Sequence, residues 1–337
     1  MWGPCYWMDR QGEHGRLLCM QLEEIREIAV IGLGRMGHGI AQSFAMAGYT
    51  VRGYDNVDAM RTTALARIRR NLDDFAAQDL LKDDVESILG RITVTGDEAS
   101  AARGAQFVVE AIVEELDAKV GWFERMEEVV EENTILASNS STFTISKSGA
   151  VMRFPQRAVV THWFNPPHIV PTVEVVPGPK TIEEVTETTV ALHRKIGKLA
   201  VRINQEIPGF LVNRVQIALI REVWDLYERG IASPEDIDTA IRGSIGFRLA
   251  NFGPLAICDF GGVDIWAKVF KNLGPDIRSD TSVPEIIEER IREGHIGSNV
   301  GSGIFNYDAK EPEAAEAKRD AWMLQLAKLL QSREAHP

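Results

Sequence analysis

The chain has 337 residues, 45% of them hydrophobic and 26% charged, a profile that suits a globular protein with room for two cores of ordinary size. Its formal net charge of −12 argues against a nucleic-acid partner, and the lack of an uninterrupted apolar run of about 18 residues argues against a membrane span. The three cysteines, Cys5, Cys19 and Cys258, have neither paired nor metal-ligand spacing, so no metal is expected and a reducing, cytoplasmic setting is.

Residues 1–24 carry scattered charges (Asp9, Arg10, Glu13, Arg16) and no continuous apolar segment, as expected of a disordered extension or of a chain whose true start is Met20. Residues 25–31 (IREIAVI) then read as a buried strand that stops at Gly32. The next stretch places Met36, Ile40, Phe44 and Ala47 on one helix face, and residues 49–54 form a second strand ended by Asp55. A helical hairpin is predicted over 59–89, strands over 91–94 and 105–111, and a helix over 119–132. Strands follow at 134–137, 158–163 and 172–176, then a helix over 181–196 and a strand over 199–203. This alternation predicts a Rossmann-like, mostly parallel sheet domain over 25–206. Beyond Pro208-Gly209 the pattern turns helical (210–229, 233–242, 254–271), which predicts a smaller all-helical domain over 207–307 and a peripheral helical tail over 308–337.

Gly32, Gly34 and Gly37 form G-x-G-x-x-G between a strand and a helix, the arrangement that seats a dinucleotide pyrophosphate on a helix N-terminus. Asp55, at the end of the second strand, can accept hydrogen bonds from both adenine-ribose hydroxyls and would repel a 2′-phosphate, which selects NAD. Arg52 and Arg61 are the residues that could soften that choice.

Two polar elements sit where later strands should end: Ser138-Asn139-Ser140-Ser141 and His162. Glu174 lies within the apolar run TVEVV, where a carboxylate is costly unless paired. A hydrogen bond from His162 would satisfy it, orient the imidazole and stabilise the imidazolium formed when His162 takes a proton from an alcohol. From pattern alone, an ordinary satisfied histidine is an equal reading of His162. His38 reads as having no chemical role, whereas His168 lies in a loop expected to border the substrate.

The stretches IAVIGLGRMGHGIAQSFAMAGY, VVEAIVEELDAK, TILASNSST, THWFNPP, TVEVV and PGFLVNRVQIALIREVWDLYERGIASPEDIDTAI, in that order, resemble the 3-hydroxyacyl-CoA dehydrogenase family over about residues 25–307. The resemblance implies that His162 is the catalytic histidine, Glu174 its paired acid, and Ser141 the residue that hydrogen-bonds the substrate oxygen. Asn213 would complete the site from the helical domain, and Glu114, Lys119 and Asn165 would lie at the cofactor. It further implies a homodimer formed through the helical domain. The function expected is NAD-dependent oxidation of a 3-hydroxyacyl-CoA. The departures concern the acyl carrier: the hairpin RIRRNLDDFAAQDLLKDD offers Arg67, Arg69 and Arg70 to CoA phosphates but is otherwise acidic, and the loop PPHIVP lacks a lysine. A dehydrogenase of a free hydroxy- or hydroxymethyl carboxylate is therefore the alternative, and a non-catalytic, crystallin-like NAD-binding protein the second one.

Overall fold

The computed structural model describes residues 5–8, 14–17, 20–307 and 312–334, which divide into two compact units. Near the N-terminus β1 (Cys5–Met8) pairs antiparallel with β2 (His14–Leu17). These two short strands fall within the segment expected to be a disordered extension or to precede the true start. The rest of 1–19 lies outside the described residues.

An eight-stranded sheet organises the first unit. Its strands are β3 (Glu27–Ile31), β4 (Thr50–Tyr54), β5 (Ile92–Thr95), β6 (Phe107–Glu110), β7 (Ile135–Ser138), β8 (Ala158–Trp163), β9 (Thr172–Pro177) and β10 (Leu199–Arg202), in the spatial order β10-β9-β8-β7-β6-β3-β4-β5. Strands β3 to β8 pair in parallel; β9 runs antiparallel to β8, and β10 parallel to β9. The run EIAVI shows why both faces are covered. Ile28 and Val30 enter one buried cluster while Ala29 and Ile31 enter the other, so successive residues of one strand serve two cores. The covering helices are α1 (Gly37–Met46), α2 (Asp58–Ala77), α3 (Val85–Leu89), α4 (Glu98–Ala102), α5 (Leu116–Glu127), α6 (Ile145–Ser148) and α7 (Glu183–Lys195).

The second unit holds α8 (Val212–Glu228), α9 (Pro234–Ile241), α10 (Phe247–Leu249), α11 (Pro254–Gly261), α12 (Val263–Leu273) and α13 (Glu285–Arg292). Helix α9 begins as its sequence suggests, with the Ser233 hydroxyl accepting the Asp236 N–H and Pro234 in the first turn. The single helix expected over 254–271 is instead two, because Gly262 takes a φ of 88° and ends α11. A final helix, α14 (Pro312–Glu334), belongs to the first unit from Arg319 on. There Leu324 packs with Phe75 and Ile169, and the Lys328 ammonium donates to the Gln78 carbonyl at 2.7 Å.

The division between the units falls after Leu211, slightly later than the expected boundary at 206. Phe210 is fully buried in the first unit, and the Leu211 N–H donates to Glu174 Oε1 at 3.1 Å, so the chain stays anchored to the sheet up to that residue.

Candidate active site

The glycine turn follows β3, beside β6. Gly32 has a φ of 94°, and a Cβ there would lie 2.5 Å from the Ala111 carbonyl oxygen at the end of β6. A Cβ on Gly37 would strike the Gly32 carbonyl oxygen at 1.6 Å, so glycine is what lets α1 start this close to the turn. Around Gly34, by contrast, the space that a Cβ would enter is open. This is the cradle a pyrophosphate requires: bare backbone facing outward at the mouth of a helix, beside the crevice where strand order reverses. Asp55 is held at its edge, one carboxylate oxygen accepting the Leu33 N–H at 2.7 Å and the other the Val57 N–H at 2.8 Å. Arg61 stands next to it, donating to the Asp55 carbonyl at 2.5 Å, whereas Arg52 is turned away onto Glu27 and the carbonyls of Ser100 and Arg103.

The antiparallel register of β8 with β9 sets His162 directly opposite Glu174. In that position neighbouring strands present side chains on one face, and His162 Nδ1 lies 2.7 Å from Glu174 Oε2. Both groups are buried. Because a carboxylate can only accept, Nδ1 carries the proton and Nε2 keeps its lone pair. The other oxygen of Glu174 takes the Leu211 N–H. That contact is reached through two consecutive residues with positive φ, Gly209 at 75° and Phe210 at 51°. Phe164 and Phe210 flank the imidazole, with ring centroids 4.4 and 5.5 Å away.

At the end of β7 the serine cluster wraps around one carboxylate. Glu114 Oε1 accepts the hydroxyl of Ser140 at 2.7 Å, the amide of Ser141 at 2.8 Å, and the hydroxyl and amide of Thr142 at 2.9 and 3.0 Å. Burial pushes this carboxyl up, but the Ser140 hydroxyl, the Lys119 ammonium and the Thr142 hydroxyl outweigh it and hold the pKa down at about 2. Lys119 is 1% exposed, its ammonium 2.8 Å from Glu110 and 3.2 Å from Glu114. A solvent-exposed surface charge is thereby excluded for Lys119. Glu110, itself fully buried, also accepts from the Ser138 hydroxyl and from the Ile112 N–H at 3.1 Å. Asn139 completes the junction by accepting the Trp163 N–H at 3.1 Å, which joins the ends of β7 and β8.

Comparison with known proteins agrees with this layout. The family description "3-hydroxyacyl-CoA dehydrogenase, NAD binding domain" matches residues 27–207, and "3-hydroxyacyl-CoA dehydrogenase, C-terminal domain" matches 209–307. The chain belongs to the 3-hydroxyacyl-CoA dehydrogenase family. As a member of it, the chain is an NAD-dependent dehydrogenase acting on a hydroxyl group. Among its relatives is the 5-formyl-3-hydroxy-2-methylpyridine 4-carboxylate 5-dehydrogenase of Mesorhizobium japonicum, 35% identical over 92% of this chain and 100% of that protein. Another is a probable 3-hydroxybutyryl-CoA dehydrogenase of Bacillus subtilis, 34% identical over 85% and 99%. A solved structure of a dehydrogenase of the first kind superposes with a TM-score of 0.85 at 35% identity, covering 91% of this chain and 99% of that one.

Set against the 3-hydroxyacyl-CoA dehydrogenase pattern, the first unit gathers the strand-end candidates in two sets. Gly32, Gly34, Gly37 and Asp55 come together at the turn after β3, while Glu114 and Ser141 follow β6 and β7, His162 and Glu174 lie in β8 and β9, and Lys119 reaches Glu110 and Glu114 from the first turn of α5. Asn165 is exposed on the loop that follows β8, and Asn213 lies in the first turn of α8 in the second unit. Glu110 and Asn139 were not anticipated as site residues. The signal for Glu110 was present, since it ends the apolar run FVVE just as Glu174 sits within TVEVV. Two of the hairpin arginines are already engaged within the first unit. Arg67 donates to the carbonyls of Leu33, Gly34 and Met60, and Arg69 forms a two-pronged ion pair with Glu86 at 2.5 and 2.8 Å. His38 Nδ1 lies 2.7 Å from the Gly34 carbonyl, a bond internal to the turn. Among the described residues, no group of three His, Cys, Asp or Glu is placed to hold a metal ion, and no helix is long and apolar enough to cross a membrane.

Proposed function

We propose that this dehydrogenase oxidises the hydroxyl of a small free carboxylate, with His162 as the general base. The observation that carries the choice of substrate is the engagement of Arg67 and Arg69, which leaves Arg70 as the remaining arginine of the run RIRR for a CoA phosphate. The Mesorhizobium relative, whose name specifies a pyridine carboxylate, supports the same reading.

Bound NAD supplies the hydride acceptor. His162 takes the hydroxyl proton at Nε2 as the carbon gives up hydride, and the buried Glu174 carboxylate stabilises the imidazolium that results. Ser141, fixed through Glu114, orients the substrate oxygen. Lys119 acts through the two carboxylates it neutralises, and Asn165 borders the nicotinamide side. Asp55 reads the adenine ribose.

A CoA thioester is the second reading, favoured by the Bacillus relative and by an open cavity of about 500 Å³ lined by Leu65, Ala66, Arg69, Arg70 and Leu89. The test is kcat/KM for 3-hydroxybutyryl-CoA against a panel of free hydroxy and hydroxymethyl acids, read by NADH absorbance. A preference for the thioester of more than tenfold would overturn the free-acid reading.

The same proposal includes a homodimer. Among the described residues of the second unit, Ile237, Pro284 and Gly303 alone are buried, and every residue of α8, α11 and α12 is at least partly exposed. Large apolar side chains such as Leu255 at 81% and Phe260 at 74% lie open, more apolar surface than a soluble monomer tolerates. A second copy covering these helices accounts for them, and light scattering giving a monomer mass at micromolar concentration would refute it.

A further inference from the structure

Lys198, the residue before β10, is 8% exposed, and among the described residues no carboxylate lies within ion-pair distance of it. Its ammonium donates to the Pro167 carbonyl at 2.6 Å and the Val170 carbonyl at 2.8 Å, and lies 5.1 Å from the centre of the Trp163 ring. The titratable groups around it offer no counter-charge. His168 on the loop and His193 on α7 are held neutral by burial, with pKa values of about 3 and about 4, and Arg319 on α14 adds positive charge near His168. Burial lowers Lys198 itself to about 7. A buried cation without an anion is a cost to folding, so its place calls for a benefit elsewhere.

The loop it touches supplies that benefit. Residues 164–171 contain Pro166, Pro167 and Pro171, which lack N–H donors. The loop's own backbone bonds run from Ile169 and Val170 to the Pro166 carbonyl, at 3.1 and 2.9 Å. The carbonyls of Pro167 and Val170 therefore need a donor from outside, and Lys198 provides it to both. On the opposite side the loop presses on α1, where a Cβ on Gly39 would meet His168 Nδ1 and Pro167 Cγ at 2.8 Å. The loop leaves directly from His162 and Trp163, and it carries Asn165.

We propose that Lys198 is a positioning residue of the reaction: it pins the proline-rich loop and so fixes Asn165 and the end of the strand that bears His162. This rests on the reading of His162 as base and of the loop as the nicotinamide-side wall. The seats for pyrophosphate and ribose lie on other elements, so Lys198 governs alignment more than NAD affinity.

The test uses the full chain, with turnover measured well below each variant's melting temperature and His162→Ala run in parallel. Lys198→Met, similar in length and without donors, is expected to lower kcat by about 10²-fold, the scale of a misplacement near 1 Å, with KM for NAD changed less than about threefold. Lys198→Arg, which keeps a charged donor, is expected to retain at least ten times the kcat of Lys198→Met. If the side chain merely fills space beneath Trp163, Met will serve as well as Arg or better, and that order overturns the proposal. Should Lys198→Met not fold, Lys198→Leu, also without donors, takes its place in the same comparison. Normal turnover in His162→Ala would refute the base assignment instead; loss there with wild-type turnover in Lys198→Met would refute the tether alone.

Discussion

The amide of Ser141 donates to Glu114 Oε1 at 2.8 Å, and its hydroxyl lies 3.2 Å from the same oxygen. The serine proposed to orient the substrate is thus located by a carboxylate from the end of a different strand, and that carboxylate is in turn held by Lys119. Glu114→Gln removes the charge while keeping the size. Hydrogen bonds to a charged group contribute about 1.5–3 kcal/mol, so kcat should fall by about 10- to 100-fold. Steady-state kinetics at neutral pH check this, with a thermal melt to show that the variant is folded. Unchanged kcat would mean that Ser141 keeps its place without Glu114.

His162→Ala should lower kcat by about 10² to 10⁴, the range for loss of a general base, while NAD binding, proposed to rest on the turn at Gly32 to Gly37 and on Asp55, changes little. Glu174→Gln should also slow turnover, since the imidazolium loses its charge partner, although the Leu211 N–H can still be accepted by the amide oxygen. A wild-type rate in Glu174→Gln would remove the carboxylate from the mechanism and leave it a structural anchor for the start of the helical unit.

Cofactor choice follows from two neighbours. The Asp55 carboxylate is the group proposed to read the ribose, and the Arg61 guanidinium is already at its shoulder, 2.5 Å from the Asp55 carbonyl and 3.0 Å from Asp58. Asp55→Ala should therefore narrow the ratio of kcat/KM for NAD over NADP by about 10- to 100-fold, the effect of removing one repulsive charge beside a standing cation. Arg61→Ala on that background should restore part of the discrimination against NADP. A ratio unmoved by Asp55→Ala would show that the ribose is read by another group.

The strand–turn–helix of the glycine motif was legible because its constraints are local: strand, glycines, helix and acid all fall within one βαβ unit, and Gly32 and Gly37 sit where no Cβ fits. The pairing of His162 with Glu174 was less so. The eight residues between β8 and β9 are too few for a parallel crossover, but spacing does not say which residues stand opposite one another, and the family resemblance was what raised the pair above an ordinary buried histidine. Glu110 and Lys198 escaped notice because their importance lies in what surrounds them. A lysine after a helix reads as solvent-facing until the fold closes a loop of prolines over it. For Arg67 and Arg69 the sequence displays the charge but not the contacts that Arg67 makes to backbone carbonyls and Arg69 to Glu86. The split at Gly262 was missed because periodicity continues across a glycine whose positive φ stops the helix.

Acid stability supplies a test that does not depend on turnover. His193 is fully buried among Phe44, Phe107 and Trp163, with Nδ1 on the Thr189 carbonyl at 2.8 Å. Burial there lowers its pKa from 6.5 to about 4. Because the folded value lies below the unfolded one, the unfolded chain binds the extra proton throughout that interval. Stability is complete above about 6.5 and declines as the pH falls toward 4, with a slope of about 1.4 kcal/mol per pH unit for each such histidine. His168, lowered to about 3, acts in the same direction over a wider range. Urea unfolding followed near pH 5.5 should therefore show nearly one proton more taken up by the wild type than by His193→Met. Parallel stability curves for the two proteins would mean that His193 is not the neutral buried imidazole this packing requires.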